Sequence, residues 1–299
     1  LEVGRIVQAA GAFAAILNAL SILVDNLEDL SRFAASVGRL ETFAHTLAPD
    51  PAFHLNGHLR KAAAHKNGVA EASRFHIEER ESLRFEDFTL QTPNSERILI
   101  KDLTASIAAG KGLLIVGDSG VGKSSLLRAI AGLWNRGDGT LMRPKFEDML
   151  FLPQHAYMTI GSLRVQLNYP NLDRDVTDDQ LREALALVNL DGLVERCGGF
   201  DADFDFEKIL SVGEQQRLAL ARVFLKNPRY ALLDEATSAL DRENEASLYE
   251  KLAATSTTLV SVSHHPGLVK YHSQVLELKP GGEWSLHAAA KFRFTGNLV

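Results

Sequence analysis

The distribution of hydrophobic and polar positions divides the chain into two parts of different character. Residues 6–24 form a run without a charged residue, and apolar positions then recur at helical intervals as far as Phe43. From about residue 83 onward, short apolar runs alternate with helical patterns. Apolar residues every three or four positions indicate a helix face, whereas short continuous runs are typical of buried strands. The pattern therefore predicts a long N-terminal helix followed by an α/β domain.

The elements of the second part follow from the same reasoning. The predicted strands cover 83–90, 98–107, 112–116, 229–233 and 257–262, and the predicted helices cover 123–133, 178–190 and 214–225. Strands that alternate with helices indicate a core sheet that is mainly parallel.

The N-terminal run is long enough for a membrane helix. A helix rises about 1.5 Å per residue, and the hydrocarbon core of a bilayer is about 30 Å thick, so residues 6–24 just reach across it. The alternative is an amphipathic helix packed on a soluble core. The polar segment 50–81 contains Pro51, Gly57 and Gly68 and is interpreted as a linker. His54 and His58 could share a helix face there as zinc ligands do, but no acidic or cysteine partner completes the set, which favours a solvated linker.

A glycine-rich segment follows the strand predicted at 112–116. Residues 117–124 read GDSGVGKS, which matches the phosphate-binding loop and opens a predicted helix, as that loop requires. Glycines let backbone N–H groups turn toward one anion, and the helix N-terminus adds partial positive charge. Lys123 is expected to reach the β- and γ-phosphates of ATP, and Ser124 to ligate Mg²⁺. The predicted ATP-binding residues here are Gly117, Asp118, Ser119, Gly120, Val121, Gly122, Lys123, Ser124 and Ser125.

Two carboxylates follow the strand predicted at 229–233. Asp234 and Glu235 come directly after an apolar run, so they are expected at the phosphate end of a parallel sheet. We expect Asp234 to hold Mg²⁺ through water and Glu235 to act as general base toward the attacking water.

Charge and cysteine content narrow the function classes. The 299 residues carry a net charge of −6. A nucleic-acid surface needs clustered lysines and arginines, so no nucleic-acid partner is expected. Cys197 is the single cysteine, which excludes an internal disulfide and is consistent with a reducing compartment.

Residues 210–217 read LSVGEQQR and lie shortly before the acidic pair. This segment resembles the signature motif of ATP-binding-cassette (ABC) proteins, which usually reads LSGGQ. Val212 and Glu214 depart from that motif, and related cassettes accept both. FLPQ at 151–154, SALD at 238–241 and SVSHH at 261–265 resemble further elements of the family, in the family's order.

The resemblance implies roles for these segments. Gln154 would contact ATP, Mg²⁺ and the transmembrane domain, Ser238 and Asp241 would belong to the D-loop, and His264 would contact the γ-phosphate and serve catalysis together with Glu235. Two cassettes would sandwich two ATP molecules. The residues that would face the partner's nucleotide are Ser211, Val212, Gly213 and Glu214. Family members usually stack an aromatic residue on adenine, yet the matching position near Thr92 holds none, although Phe85 and Phe88 are close. Adenine would instead pack on Thr92, Pro93 or another side chain.

Within the family, the chain most resembles subfamily D half-transporters and their bacterial relatives. The resemblance rests on LQTPN at 90–94, LLRAIAGLW at 126–134, MLFLPQHAYM at 149–158, LSVGEQQRLALAR at 210–222 and ILVDNLEDLSRFAASVGRLETF at 22–43. It implies a cassette with a mainly parallel core sheet, an antiparallel β subdomain and a helical subdomain, preceded by a long N-terminal helix. Residues 1–49 would end a transmembrane domain and form a cytoplasmic stalk, 50–81 would be the linker, and 82–299 the ATPase domain.

The resulting prediction is an ATPase that drives transport as part of a half-transporter. The implied partners are a second half-transporter, identical or different, membrane lipid, and a transported substrate such as a fatty acyl or other lipophilic compound. The protein would be a multi-pass membrane protein with its cassette in the cytoplasm. The alternatives are a soluble cassette ATPase that is not coupled to transport, and a regulatory subunit whose hydrolysis is incidental.

Overall fold

The computed structural model describes residues 8, 11–17, 21, 33–40, 74–93, 96–171 and 175–294. The chain divides into two compact units, Leu1–Val69 and Ala70–Val299. In the first unit, residues 11–17 and 33–40 are helical. Most of the apolar run 6–24 and the predicted linker up to residue 73 lie outside the described residues. Among the helices that are described, none is both long and apolar enough to cross a membrane.

The second unit contains the regular elements. The strands are β1 (His76–Glu79), β2 (Leu83–Gln91), β3 (Ile98–Ile107), β4 (Leu113–Gly117), β5 (Gly137–Arg143), β6 (Met149–Leu152), β7 (Ile160–Ser162), β8 (Asp203–Asp205), β9 (Tyr230–Asp234), β10 (Thr258–Val262), β11 (Gln274–Leu278) and β12 (Trp284–Ala288). The α-helices are α1 (Lys123–Ile130), α2 (Leu163–Asn168), α3 (Asp178–Leu187), α4 (Leu193–Arg196), α5 (Phe206–Ile209), α6 (Val212–Lys226) and α7 (Arg242–Ala253). Short 3-10 turns cover Phe146–Asp148, Pro266–Tyr271, Pro280–Gly282 and Ala289–Lys291.

The central sheet has six strands in the order β12-β11-β4-β10-β9-β6. Every pair in it is parallel except β11 with β12. β4, β9 and β10 are buried along their whole length, as their continuous apolar sequences predict for the middle of a parallel sheet. The predicted α/β class with a mainly parallel core sheet is confirmed.

A second sheet has four strands in the order β1-β5-β2-β3. β2 pairs antiparallel with both β3 and β5, and β1 pairs parallel with β5. β1 lies inside the segment 50–81 that we interpreted as a linker, so the sheet begins before residue 82. One hydrophobic core joins this sheet, α1 and one face of the central sheet.

A helical region lies between β6 and β9 along the chain. α2 and α3 both pack against α6, and their apolar faces share a core with the other part of the central sheet. The expected β and helical subdomains are therefore both present beside the core sheet.

Two helices end earlier than their hydrophobic periodicity predicts, for the same reason. The helix predicted at 123–133 ends at Ile130, where Gly132 has a φ of +80° and the Leu133 N–H donates to the Arg128 carbonyl at 2.8 Å. The helix predicted at 178–190 ends at Leu187, where Asn189 has a φ of +56°. A left-handed residue with such backward hydrogen bonds closes a helix, whatever the apolar pattern does afterward.

Candidate functional site

The predicted site residues come from the carboxyl ends of neighbouring parallel strands. Val262, the last residue of β10, pairs with Asp234, the last residue of β9. β6 ends at Leu152 beside Leu233, and β4 continues through Gly117. The loops that follow these four strands therefore start at one edge of the sheet, where ligands bind in open α/β folds.

The loop after β4 has the backbone conformation that only glycine accepts easily. Gly117 has a φ of +142°, and a Cβ atom there would lie 2.3 Å from the carbonyl oxygen of Leu278. Gly122 caps α1 with a φ of +111°. The Nζ of Lys123 donates to the carbonyl oxygens of Gly117 and Asp118, both at 2.8 Å, so the lysine lies across the mouth of the loop. Burial lowers the pKa of Lys123, and the nearby carboxylates of Glu235, Asp118 and Asp234 oppose this shift.

The remaining loop residues differ in exposure. Asp118, Ser119 and Gly120 are exposed, Val121 is buried, and Ser125 is half-buried at the start of α1. Exposed residues at this point suit a phosphate-binding loop, because a ligand must approach the N–H groups of the loop.

Ser124 and Asp234 form a pair of oxygen ligands. The Ser124 hydroxyl donates to Oδ1 of Asp234 at 2.7 Å. Asp234 is 3% exposed, and this burial raises its pKa. A hydroxyl and a buried carboxylate are hard oxygen donors of the kind that Mg²⁺ prefers, so this pair fits that ion. Among the described residues there is no cluster of three or more histidine, cysteine or acidic side chains that could hold a metal by itself.

Glu235 lies at the centre of a second group. Gln154 donates from Nε2 to Oε2 of Glu235 at 2.9 Å, and Nε2 of His264 lies 3.2 Å from Oε1. Glu235 has a φ of +49°, a left-handed conformation that is costly for a residue with a Cβ atom. This conformation turns the chain directly after β9 and brings the carboxylate between the two loops that carry Gln154 and His264.

The segment that resembles the ABC signature begins α6. Ser211 is the N-cap: its hydroxyl accepts from the Glu214 N–H, and the Glu214 carboxylate accepts from the Ser211 N–H at 2.9 Å. Glutamate at position 214 thus completes the capping box that a glutamine there would also complete. Arg196 on α4 also contacts Glu214 at 2.8 Å. Ser211 and Val212 are exposed, whereas Gly213 lies against the Ala239 carbonyl and the Leu240 side chain.

The segment after Glu235 leads into α7. Asp241 caps this helix by accepting from the N–H groups of Glu243 and Asn244, and the Asn244 N–H holds the pKa of Asp241 below its usual value. Ser238 contacts Gln216 of α6, as does the N–H of Ala239. The predicted D-loop is thereby joined to the signature helix.

Sequence reasoning missed two groups beside these loops. Gln216 is 2% exposed and was not singled out, although it is a polar residue before an apolar stretch of α6. The second group centres on Glu245 of α7, which is buried. Its Oε1 accepts from the Thr237 hydroxyl and its Oε2 lies against Nδ1 of His265, both at 2.6 Å. His265, the residue after His264, is therefore bonded to α7.

Thr92, directly after β2, exchanges hydrogen bonds with Arg97, directly before β3. The Trp134 indole donates to the carbonyl of neighbouring Gln91 at 2.7 Å. His54 and His58 lie outside the described residues.

Comparisons with known proteins agree with the motifs. The family model described as ABC transporter matches residues 100–238, which include the phosphate loop, the signature segment and the acidic pair. The chain carries an ABC transporter ATP-binding domain.

Relatives of this ATP-binding domain extend over more of the chain. An uncharacterized ABC transporter ATP-binding protein of Synechocystis is 46% identical over 96% of this chain and 42% of its own length. The chloroplastic ABC transporter D family member 2 of Arabidopsis thaliana is 34% identical, over 93% of this chain and 47% of its own length. The human lysosomal cobalamin transporter ABCD4 is 42% identical, over 67% of this chain and 35% of its own length. The chain thus spans less than half the length of these relatives.

A solved structure has the same fold as the ATP-binding domain. A bacterial Atm1-family ABC exporter with ATP bound matches with a TM-score of 0.60 at 24% identity, over 70% of this chain and 39% of the exporter chain. The resemblance to subfamily D and the cassette fold are both confirmed by these comparisons.

Proposed function

We propose that this domain hydrolyses ATP at a site completed by a second cassette, and that it is the motor of a half-transporter. The observation that carries the proposal is the group of Gln154, Glu235 and His264, which lies at the same sheet edge as the phosphate loop. A domain that only bound nucleotide would have no need for a carboxylate held by two polar side chains next to the phosphate loop.

The phosphate loop, residues 117–125, would bind the phosphates of ATP through its N–H groups. Lys123 would exchange its contacts with the Gly117 and Asp118 carbonyls for phosphate oxygens. Ser124, Asp234 and Gln154 would hold Mg²⁺, which when bound neutralises charge on the phosphate oxygens.

Glu235 is proposed as the general base. It would accept a proton from water as the water oxygen bonds to the γ-phosphorus and the bond to the bridging oxygen breaks. Gln154 and His264 each contact one oxygen of Glu235, so they orient the carboxylate. His264 would in addition contact the γ-phosphate.

The second half of the site would come from a partner cassette. Ser211, Val212, Gly213 and Glu214 begin α6, and the helix N-terminus with its exposed Ser211 suits the γ-phosphate of a nucleotide on the partner. Ser238 and Asp241 would lie at the same contact. ATP favours closure because it touches both cassettes only when they are together.

We further propose that residues 1–49 connect the ATPase domain, whose first strand is β1, to a membrane domain through the linker that precedes this strand. The names of the relatives, which are transporters, support this arrangement. The protein would then be a multi-pass membrane protein with a cytoplasmic cassette, and its substrate a fatty acyl or other lipophilic compound. Extraction of the intact protein from membranes by detergent, and not by high salt, is the expected result. Recovery in the soluble fraction would favour the rival, a soluble cassette ATPase.

The test of the chemistry is Glu235→Gln in the intact protein. We expect the hydrolysis rate to fall at least about 100-fold, the range that general-base catalysis spans. The variant should also retain ATP through gel filtration, because the closed pair cannot hydrolyse it. Glu250→Gln, an exposed position on α7, is the matched control and should hydrolyse ATP normally. Wild-type hydrolysis by the Glu235 variant would overturn the proposal.

A further inference from the structure

One buried side chain contacts two of the loops around Glu235. Gln216 lies on α6 and is 2% exposed. Its Nε2 donates to the carbonyl oxygen of Gln154 at 3.2 Å and to the Ser238 hydroxyl at 3.2 Å. Its Oε1 accepts from the N–H of Ala239 at 2.9 Å. Both hydrogens of the amide and its oxygen are thus used.

These contacts join segments that lie on either side of the proposed base. The Gln154 side chain donates to Glu235, and the Ser238–Ala239 segment follows Glu235 within one turn of chain, where the Ser238 N–H donates to the Glu235 carbonyl at 3.0 Å. The third segment is the start of α6 itself, whose Gly213 lies against the Ala239 carbonyl. Gln216 is therefore the common hydrogen-bonding partner of the two loops.

We propose that Gln216 is a positioning residue for ATP hydrolysis, which sets the distance between the Gln154 loop and the Ser238–Ala239 segment and so orients Glu235. The inference rests on the proposed role of Glu235. A glutamine suits this task because one planar group donates to one loop and accepts from the other. A movement of either loop, or of the signature helix, must then move the other two or break hydrogen bonds of the buried Gln216 side chain.

Gln215, the preceding residue on α6, provides a matched control. Its Nε2 also donates to backbone carbonyls, those of Glu207 and Leu210, at 3.1 and 3.0 Å. These bonds hold Glu207 and Leu210, which precede Ser211, and they reach neither the Gln154 loop nor Ser238. If Gln216 served only to dock α6, then Gln215 would share that role. If Gln216 orients Glu235, then Gln215 does not share the role.

The experiment compares Gln216→Met and Gln215→Met in the intact protein by steady-state ATP hydrolysis. For Gln216→Met we expect kcat to fall about 30-fold with KM for ATP within about twofold of the wild type, because misplacement of a reacting group costs rate while the phosphate loop is untouched. Amide hydrogen exchange at Ala239 should become faster in this variant. Gln215→Met should change neither kcat nor Ala239 exchange by more than about twofold.

Wild-type kcat in Gln216→Met, or equal losses in both variants, would overturn the inference. If Gln216→Met does not fold, Ser238→Ala tests it instead, since this change removes one of the three bonds at an exposed residue. That variant should lose a few-fold in kcat with KM unchanged, and an unchanged kcat would contradict the inference. If the wild type hydrolyses no ATP at all, the proposed function fails, and the exchange at Ala239 still decides whether Gln216 fixes that segment.

Discussion

His272 is a buried histidine with a defined protonation state. Its Nδ1 lies 2.8 Å from the Leu268 carbonyl oxygen and its Nε2 lies 2.9 Å from the Ser261 hydroxyl. The carbonyl can only accept, so Nδ1 carries the hydrogen and Nε2 accepts from the serine, which is the arrangement of a neutral ring. Burial lowers the pKa of His272 to about 4.

This shift predicts a loss of stability in acid. Below pH 6.5 the unfolded chain binds a proton at His272 that the folded chain does not bind until the pH nears about 4, so stability falls as the pH falls through this window. From pH 6.5 to pH 5 this proton lowers the free energy of unfolding by about 1.5 kcal/mol. Urea unfolding at both pH values should show a smaller loss for His272→Gln than for the wild type. Equal losses would mean that His272 does not titrate as proposed.

Among the helices, α3 and α6 start with the same device. Thr177 caps α3 and Ser211 caps α6, each in a capping box with the residue three positions later, Gln180 and Glu214 respectively. The first helix lies away from the candidate site along the chain, whereas the second begins at the signature segment. A comparison of Thr177 with Ser211 therefore separates the effect of an N-cap on stability from its effect on ATP hydrolysis.

We expect Thr177→Ala and Ser211→Ala each to lower the free energy of unfolding by about 1 kcal/mol, the usual value of an N-cap. Only Ser211→Ala should reduce ATP hydrolysis, by about tenfold or more, because its hydroxyl is proposed to face the partner's nucleotide. Urea unfolding and hydrolysis rates measure the two effects. Equal hydrolysis by both variants would leave Ser211 with a structural role alone.

The contact between β2 and β5 depends on a glycine. Gly137 has a φ of +146°, and a Cβ atom there would lie 1.8 Å from the Thr89 carbonyl oxygen. Gly137→Ala should cost roughly 3 kcal/mol, since backbone strain and displacement of the neighbouring strand add. Gly192→Ala is the control, because its φ is −76° and no atom lies within 4 Å of the added carbon. Similar urea midpoints for the two variants would contradict the prediction.

The elements that sequence predicts best are those with buried or strongly periodic patterns. β4, β9 and β10 begin and end within one residue of their predictions, because a continuous apolar run leaves a strand few other positions. β5 was missed, since its sequence GDGTLMR has two glycines and little alternation, and only pairing with β2 and β1 makes it a strand.

The residues of the candidate site also fall into those that local sequence predicts and those that it does not. Residues 117–125 and the acidic pair follow from local sequence, because strand ends and glycine turns fix them. The contacts of Gln216 and of Glu245 with loops far along the chain depend on tertiary packing, which periodicity does not contain.

If each ATP site is shared between two copies of the chain, mixed dimers of different variants should hydrolyse ATP at different rates. A dimer of a Lys123→Ala chain with a Ser211→Ala chain would contain one site with both defects and one with none. A dimer of the wild type with the Lys123→Ala, Ser211→Ala double variant would contain one defect in each site. The first mixed dimer should keep about half the wild-type hydrolysis rate, and the second should keep little. Differently tagged chains, purified through both tags, allow the comparison.

The two mixed dimers carry the same substitutions, and they differ only in how the two chains share them. Equal rates would mean that each chain hydrolyses ATP alone, without a contribution from its partner.

The backbone of Glu235 has a consequence for any attempt to improve the domain. Its left-handed conformation, φ +49°, costs on the order of 1 kcal/mol, and glycine or asparagine would adopt it with less strain. A laboratory selection that rewards only thermal stability would therefore favour replacement of Glu235, and under the proposed mechanism this replacement would abolish ATP hydrolysis. Variants that such a selection finds to be more heat-stable should be sequenced at codon 235 before the gain in stability is counted as an improvement of the domain.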